Sequence, residues 1–207
     1  GSAASWELRL EESDGPLLHL PAGWMYRAPL PRTKLLSQAP AARFSGRIAV
    51  DGRELAVDGW RGMAGHNWGA EHAERWIWLH GLTEDGDWLD TGIGRVRLGR
   101  VLTPWIAGGA LSLGGDRYRL RRASVEERTD GCTFTLAGSG VTVRGSVSAP
   151  RERFVEWVYD HPDGGSGSDV VNCSIADMRL SLSRRGGRAW ELTVPHSAAY
   201  ELGVPAG

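Results

Sequence analysis

The sequence lacks a long apolar run and a large net charge, and each absence excludes a class of protein. No uninterrupted apolar stretch approaches the ~20 residues that a membrane-spanning helix needs. The 24 lysines and arginines nearly balance the 25 aspartates and glutamates, so no overall basic field attracts nucleic acid or anionic lipid. No secretory signal opens the chain, whose first residues resemble a cloning scar or a trimmed end. We therefore expect a cytoplasmic protein with no nucleic-acid partner and no transmembrane segment.

Cysteine is scarce: the chain has only Cys132 and Cys173, which lie far apart in strand-like runs. Two cysteines make a weak disulfide framework. We interpret them as reduced packing residues, and the sequence leaves a disulfide between them open.

Helix-type periodicity is nearly absent as well, and strand-type alternation takes its place. Asp51 and Gly52 give a hairpin signal between two alternating runs. Met178, Leu180 and Leu182 alternate with polar residues in a longer run. Roughly ten or more strands joined by consecutive hairpins favour an antiparallel meander that closes and so removes its exposed edges. We predict an all-β fold with a closed barrel, whose interior can hold one small ligand.

Tryptophan and histidine are concentrated in residues 59–81, which hold four of the ten tryptophans and three of the six histidines. Tryptophan is large, and its indole N–H needs a partner when buried. Aromatic surfaces beside a few polar groups are typical of a small-molecule pocket. Within this segment, residues 76–82 alternate as a strand, with Trp76, Trp78 and His80 on one face.

Two earlier segments lack regular alternation. We interpret residues 60–73 as a structured crossing and not as a strand. Residues 16–40 are rich in proline and irregular. We expect them to lie over another surface of the protein as an extended arm.

Four short motifs carry a family resemblance: His66-Asn67-Trp68-Gly69, Trp76-Ile77-Trp78, Val171-Asn172-Cys173, and residues 196–203 with the sequence HSAAYELG. Through these motifs, residues 24–203 resemble the tocopherol cyclase and carotenoid hydratase (hydroxyneurosporene synthase) superfamily of lipocalin-like proteins. The tetrad that begins at His66 is the distinctive motif among the four. Members of this family act on or bind apolar molecules, often isoprenoids or polyketides. Their reactions are cofactor-free hydration, cyclisation and isomerisation of alkenes.

The resemblance implies two lipocalin-like (calycin-type) barrels with the tetrad near their junction. The part of the chain after Trp76 is long enough for a complete barrel, whereas the part before it is too short for another. The first lobe is therefore either truncated or reduced to an arm and a few strands. We predict residues 1–74 as an N-terminal arm and partial β-lobe containing the tetrad, and residues 75–207 as a lipocalin-like barrel. The sequence leaves open whether the barrel has a partner, which would be a missing N-terminal lobe or a second copy of the chain.

Alkene hydration or cyclisation begins with protonation of a C=C bond, which needs a positioned acid and aromatic faces that stabilise the developing cation. We predict His66 and Glu71 as catalytic residues, with Glu74 as another candidate acid. The predicted ligand-binding residues are Asn67, Trp68, Trp76, Trp78, His80, Tyr159 and Asn172.

Each candidate also has a structural alternative. His66 and Asn67 can hydrogen-bond loop backbone while Trp68 fills the core. His80 can be a satisfied core histidine. Asn172 can pair with a neighbouring loop instead of facing a cavity.

Tyr159 ends a strand before a glycine-rich loop at residues 161–169. That loop can act as a lid over a barrel mouth, or it can be a plain long hairpin. His66, His72 and His80 match no familiar metal-binding spacing, and no dinucleotide loop precedes a helix. We therefore expect neither a metal nor a cofactor.

The function predicted from the sequence is binding of a hydrophobic small molecule, isoprenoid, polyketide or lipid-like. A cofactor-free isomerase, cyclase or hydratase is one form of this function. The alternatives are a non-catalytic lipid carrier and a structural β-domain of a larger protein. A cavity with an acid near the ligand favours the enzyme, an acid-free cavity favours the carrier, and a barrel filled with its own side chains favours the structural domain.

Overall fold

The computed structural model describes residues 3–160, 167–184 and 189–206. The described chain is built from strands, with two short 3-10 helices at Gly23–Tyr26 and Arg151–Arg153. In chain order the strands are β1 (Ala4–Ser13), β2 (Leu17–Leu18), β3 (Thr33–Val50), β4 (Arg53–Gly69), β5 (Arg75–Leu82), β6 (Trp88–Arg95), β7 (Arg97–Leu98), β8 (Val101–Leu102), β9 (Ile106–Leu113), β10 (Asp116–Arg128), β11 (Gly131–Gly138), β12 (Val141–Ser148), β13 (Val155–Tyr159), β14 (Ser168–Arg184) and β15 (Trp190–Pro205).

Eight antiparallel strands close into a barrel in the order β5, β6, β9, β10, β11, β12, β14 and β15, and β15 pairs back with β5. The predicted all-β fold and lipocalin-like barrel are confirmed. The long strand β14 serves two neighbours: its first residues pair with β13, and residues from Asp177 onward pair with β12. The β7–β8 hairpin is an insertion between barrel strands.

Apolar side chains from all eight strands fill the barrel interior as one contiguous cluster. Met178 and Leu182 of β14 are fully buried there and Leu180 nearly so, as their alternation predicts. Cys132 and Cys173 are buried and free, which confirms their interpretation as packing residues. Burial raises the pKa of the Cys132 thiol to about 12, so this cysteine stays protonated at neutral pH.

The chain divides into two compact units. The first comprises Gly1–Leu17 and Leu36–His66, and the second comprises Leu18–Leu35 and Asn67–Gly207. The predicted two-domain division after residue 74 stays a prediction. No helix in the described residues is long and apolar enough to span a membrane.

In the first unit, β1 pairs antiparallel with β3 from Ala4 opposite Val50 to Ser13 opposite Ala42. The predicted hairpin at Asp51 and Gly52 joins β3 to β4, and both residues have positive φ angles of 49° and 79°. Positive φ at both central positions is what a two-residue type I′ turn requires. This short sequence signal therefore fixes the register of the hairpin.

The interpretation of residues 60–73 as a crossing is wrong, because β4 continues to Gly69. Val57 is the single buried position along β4. Hydrophobic alternation arises only when one face of a strand is buried against a core. A strand that is half-exposed on both faces needs no such alternation, so its sequence resembles a loop.

Residues 18–35 of the arm predicted over residues 16–40 belong to the second unit. They lie on its barrel. The Arg119 guanidinium donates to the backbone carbonyls of Leu18 and Leu20, at 2.7 and 2.9 Å. Gly108 on β9 permits this close approach, because a Cβ there would collide with the His19 carbonyl. From Thr33 onward the arm is strand β3.

Candidate functional site

The candidate site begins with the side-chain alternation of β5. Ile77 and Leu79 point into the barrel and are fully buried. Trp76, Trp78 and His80 therefore lie on the outer face of the same strand, which confirms that the three share one face. The outer face of β5 continues across β15 and β14, because Trp78 stands opposite Glu201 and Glu201 opposite Asn172.

Four half-buried rings gather on this outer face, and we call His72, Trp76, Trp157 and Tyr159 the aromatic wall. The His72 ring stacks on Trp76 with centroids 4.9 Å apart and on Tyr159 with centroids 5.3 Å apart. Trp76 and Tyr159 are 6.4 Å apart and inclined by 30°. Trp157 meets Tyr159 edge-on at 5.8 Å. The wall combines rings from β5, β13 and the connection that precedes β5.

A carboxylate is fixed among these rings. The Trp76 indole N–H donates to Glu201 Oε1 at 3.0 Å, and the Asn172 amide donates to Glu201 Oε2 at 3.2 Å. Gly203 lets the Trp76 ring lie flat on β15, because a Cβ at Gly203 would collide with that ring. Burial raises the pKa of Tyr159, and the nearby Glu201 charge raises it further, so the phenol stays protonated at neutral pH.

A second polar group lies deeper on the same face, and we call His19, Trp78, His80 and Asp90 the buried polar cluster. The Asp90 carboxylate is fully buried, and both histidines are nearly so. The Trp78 indole N–H donates to Asp90 Oδ1 at 3.0 Å. His19 Nε2 lies 3.4 Å from Asp90 Oδ2 and His80 Nδ1 lies 3.9 Å from Asp90 Oδ1. The arm, through His19, thus supplies part of this cluster.

The position of the hydrogen on the His19 ring and the charge of His80 follow from the surroundings of the two side chains. His19 Nδ1 lies 2.9 Å from the Gly108 carbonyl, which can only accept, so Nδ1 carries a hydrogen. Burial lowers the pKa of His80, and this effect exceeds the opposing attraction of Asp90. His80 is therefore neutral at pH 7 despite its proximity to a carboxylate. Its Nδ1 atom has no hydrogen-bond partner among the described residues.

The two predicted catalytic residues are both exposed. His66 is an exposed residue of β4 in the first unit. Glu71 is exposed and pairs with Arg32 at 2.6 Å. Glu74, the other candidate acid, pairs with Arg97, whose hydrogen bond lowers the pKa of this glutamate. Glu74 is therefore ionised at neutral pH and has no proton to give.

The remaining predicted ligand-binding residues make different contacts. Asn67 and Trp68 are exposed near the end of β4, and Trp68 lies against Tyr26 with ring centroids 5.8 Å apart. Tyr159 and Asn172, by contrast, join Trp76 around Glu201. Residues 161–166 of the predicted lid loop lie outside the described residues.

Sequence reasoning missed five residues that the site contains: His19, His72, Asp90, Trp157 and Glu201. Two of them carried a usable signal. Asp90 and Glu201 are single acidic residues within otherwise apolar strand segments, and a buried acid needs partners. Alternation also separates Glu201 from Tyr200 and Leu202, which face the barrel interior. His19 and His72 lie in irregular segments, where no periodicity marks them.

Comparison with known proteins gives uncharacterized relatives and a solved structure with the same fold. No family model matches the sequence. Two uncharacterized proteins of Mycobacterium tuberculosis, from strains CDC 1551 / Oshkosh and ATCC 25618 / H37Rv, are each 31% identical over 202 residues. The match covers 91% of this chain and 57% of each relative, so the chain spans little more than half the length of these relatives.

The structural likeness is to kievitone hydratase from Nectria haematococca, with a TM-score of 0.51 and 14% sequence identity. It covers 84% of this chain and 53% of that protein. At this identity the likeness establishes a shared lipocalin-like fold.

Proposed function

We propose that this chain binds an apolar small molecule on the aromatic wall, at the outer face of the barrel. One observation carries the proposal: the near-parallel rings of His72, Trp76 and Tyr159 stack on one another, and Trp76 is also one of two N–H donors that hold the Glu201 carboxylate. Aromatic surface with a few fixed polar groups is the usual make-up of a ligand site. The barrel interior is filled with its own side chains, which favours the outer face over the lumen.

A cofactor-free hydratase, isomerase or cyclase is the second candidate function, and Glu201 favours it. In a hydration, the Glu201 carboxylic acid would give its proton to one alkene carbon, and water would add to the cation at the other carbon. The added water would then return a proton to the carboxylate. Trp76 and Tyr159 supply aromatic faces for the cation. The fold shared with kievitone hydratase and the motifs of the carotenoid hydratase superfamily support this chemistry.

Glu201 replaces Glu71 as the proposed proton donor, because Glu201 is held by Trp76 and Asn172, whereas Glu71 is exposed and paired with Arg32. His66, Asn67 and Trp68 stay predictions. In the proposed site, Trp76 and Tyr159 contact the ligand and Asn172 orients Glu201. Trp78 and His80 support the wall from the buried polar cluster.

A fluorescence titration tests binding. Farnesol, retinol and oleic acid should quench tryptophan emission saturably, because a ligand on the wall contacts Trp76 and Trp157. Trp76→Leu should weaken binding about fivefold, as expected for the loss of one aromatic contact. Trp24→Leu is the matched control, since Trp24 is 69% exposed in the 3-10 helix of the arm. Absence of saturable quenching by all three compounds would rule out an accessible site.

Deuterium incorporation tests catalysis separately. A bound alkene that is protonated in D₂O acquires deuterium, which mass spectrometry detects whatever the final product is. Glu201→Gln should bind ligand normally but incorporate deuterium about 100-fold more slowly, as expected for loss of a general acid. Glu191→Gln, an exposed change on the same strand, is the control. Binding without any incorporation identifies a carrier, and loss of incorporation in Glu71→Gln would return the assignment to Glu71.

A further inference from the structure

Two arginines face each other at one end of the barrel. Arg75 on β5 stands directly opposite Arg95 on β6. Two residues further along these strands, Ile77 and Ile93 form another opposite pair and are buried in the interior cluster. Because side chains alternate along a strand, Arg75 and Arg95 face the inside of the barrel as well. This arginine pair is therefore separate from the aromatic wall, which lies on the outer face.

The positive charge of the arginine pair is only half compensated. Like charges directly opposite each other on paired strands are destabilising. Arg75 Nη2 lies 2.6 Å from Glu127 Oε1 on β10, whereas Arg95 forms no ion pair with any of the described residues. Glu74 precedes Arg75 in the chain, but both of its carboxylate oxygens accept hydrogen bonds from Arg97. One guanidinium charge is thus left without a counterion at this end of the barrel.

Arg95 is held by contacts that leave part of its guanidinium group unused. Its Nε–H donates to the Thr103 carbonyl at 2.9 Å, and the guanidinium lies over the Trp105 ring, 5.7 Å from the ring centroid. A guanidinium carries five N–H donors in a fixed geometry. The four on the two Nη atoms of Arg95 have no acceptor in the part of the chain that the structure describes. These donors are therefore positioned before any anion binds.

Two buried atoms beside this guanidinium also lack hydrogen-bond partners. Arg75 Nε and Glu127 Oε2 are both buried, and neither has a partner among the residues described. Leaving a buried donor or acceptor unpaired costs free energy. The first of these atoms needs an acceptor and the second needs a donor. A ligand that complements this end of the barrel must therefore supply both.

We propose that this end of the barrel binds a monovalent hydroxy carboxylate, whose carboxylate accepts from Arg75 and Arg95 and whose hydroxyl donates to Glu127. One uncompensated positive charge matches one carboxylate, and the planar guanidinium fork binds carboxylates through paired hydrogen bonds. A phosphate dianion would instead leave a negative charge in excess. Trp105 and Val204 are only partly buried where they pack against the core, so they offer apolar surface to the rest of the ligand.

Calorimetry with three probes of similar size tests the ligand class: mandelate, phenylacetate, which lacks the hydroxyl, and 1-phenylethanol, in which a methyl group replaces the carboxylate. We expect mandelate to bind most tightly. Phenylacetate should bind about tenfold more weakly, as expected for loss of one hydrogen bond to a charged group. 1-Phenylethanol should show no measurable binding, because it leaves the guanidinium charge uncompensated. Inorganic phosphate should bind more weakly than mandelate.

Substitution of Arg95 tests the location of the site. Arg95→Gln should weaken mandelate binding about 10- to 100-fold, since it removes a charge-assisted contact. This variant should stay folded, because it removes one of two opposed like charges. Arg95→Lys keeps the charge but not the planar fork, and its affinity should lie between those of the wild type and Arg95→Gln. Arg179→Gln, at an exposed arginine of β14, is the matched control.

Wild-type affinity for mandelate in Arg95→Gln, or no binding of mandelate to the wild type, would overturn the site. Equal affinities for mandelate and phenylacetate would overturn the role of the hydroxyl, and tighter binding of phosphate would overturn the choice of a carboxylate.

A competition experiment separates this site from the aromatic wall. Saturating mandelate should leave the farnesol titration of the wild-type protein unchanged, since the two sites lie on opposite faces of the sheet. Competition between mandelate and farnesol would overturn the location proposed for mandelate. Failure of farnesol alone to bind would count against the proposed function of the wall and leave the hydroxy-carboxylate site standing.

Discussion

His80 shows how far a single side chain can be predicted from sequence. Alternation with Trp76 and Trp78 correctly placed it on the outer face of β5, but left open whether it faces a pocket or is buried. The structure buries it beside Asp90 and His19. Asp90 comes from the neighbouring strand and His19 from the arm, 61 residues earlier than His80 in the sequence. Periodicity within one strand cannot identify such partners, because they are brought together only by the pairing of strands and the path of the arm.

Burial of His80 makes the stability of the protein depend on pH. Its pKa is lowered in the folded protein because burial disfavours the imidazolium. The unfolded chain takes up a proton on His80 below about pH 6.5, whereas the folded protein does so only at lower pH. The unfolded state therefore binds more protons in this window, and stability falls as the pH decreases. We expect the free energy of unfolding to fall by up to about 1.4 kcal/mol per pH unit from this group.

Urea unfolding of the wild-type protein and of His80→Gln between pH 7.5 and 5.5 measures this contribution. The variant has no imidazole at this position, so its free energy of unfolding should change less with pH than that of the wild type. His196→Gln, at an exposed histidine, should behave as the wild type does. Identical slopes for wild type and His80→Gln would mean that His80 is protonated equally in the folded and unfolded states.

Among the strands, prediction succeeded where one face is buried. β5 and β14 alternate because their inward residues join the core, so hydrophobicity follows the strand period. β4 has a single buried position, and its sequence carried no such signal. The tetrad that begins at His66 was assigned to a crossing for this reason, although it lies on a strand through Gly69. Hydrophobic alternation in a sequence therefore indicates that one face of a strand is buried, more than it indicates that a strand forms.

A substitution in strand β15 tests how the Trp76 ring is held in the aromatic wall. Gly203→Ala should displace the Trp76 ring, because the added methyl group would collide with it. The Trp76 hydrogen bond to Glu201 would then be broken. We expect a loss of about 1–3 kcal/mol in the free energy of unfolding, typical of an overpacked site. The near-ultraviolet circular dichroism of the tryptophans should change as well.

Gly23→Ala is the control for this change, since a Cβ at Gly23 meets no atom within 4 Å. It should leave both stability and the near-ultraviolet spectrum unchanged. A Gly203→Ala protein that retains the wild-type spectrum and stability would show that Trp76 is not held flat against β15.

For the whole molecule, the all-β class and the closure of the barrel followed from consecutive hairpins and from the need to remove edge strands. The location of the candidate site did not follow from the sequence. Whether a barrel holds a ligand or its own side chains depends on the volumes of residues from eight strands, which no local pattern reports. Trp76 and Tyr159, selected as pocket residues, lie outside the barrel because alternation gives the face of a strand but not which face is enclosed.

A change in the barrel core distinguishes a site in the lumen from one on the outer face. Met178 is fully buried in the interior cluster. Met178→Ala should lower the free energy of unfolding by about 2–5 kcal/mol through loss of buried surface and formation of a cavity. If the ligand binds on the aromatic wall, the affinity for farnesol, per folded molecule, should stay as in the wild type. If the ligand enters the lumen, the new cavity should instead tighten binding, since apolar cavities accept apolar molecules. Urea unfolding and a tryptophan-fluorescence titration on this one variant decide between the two locations, and tighter binding would move the site from the wall into the barrel.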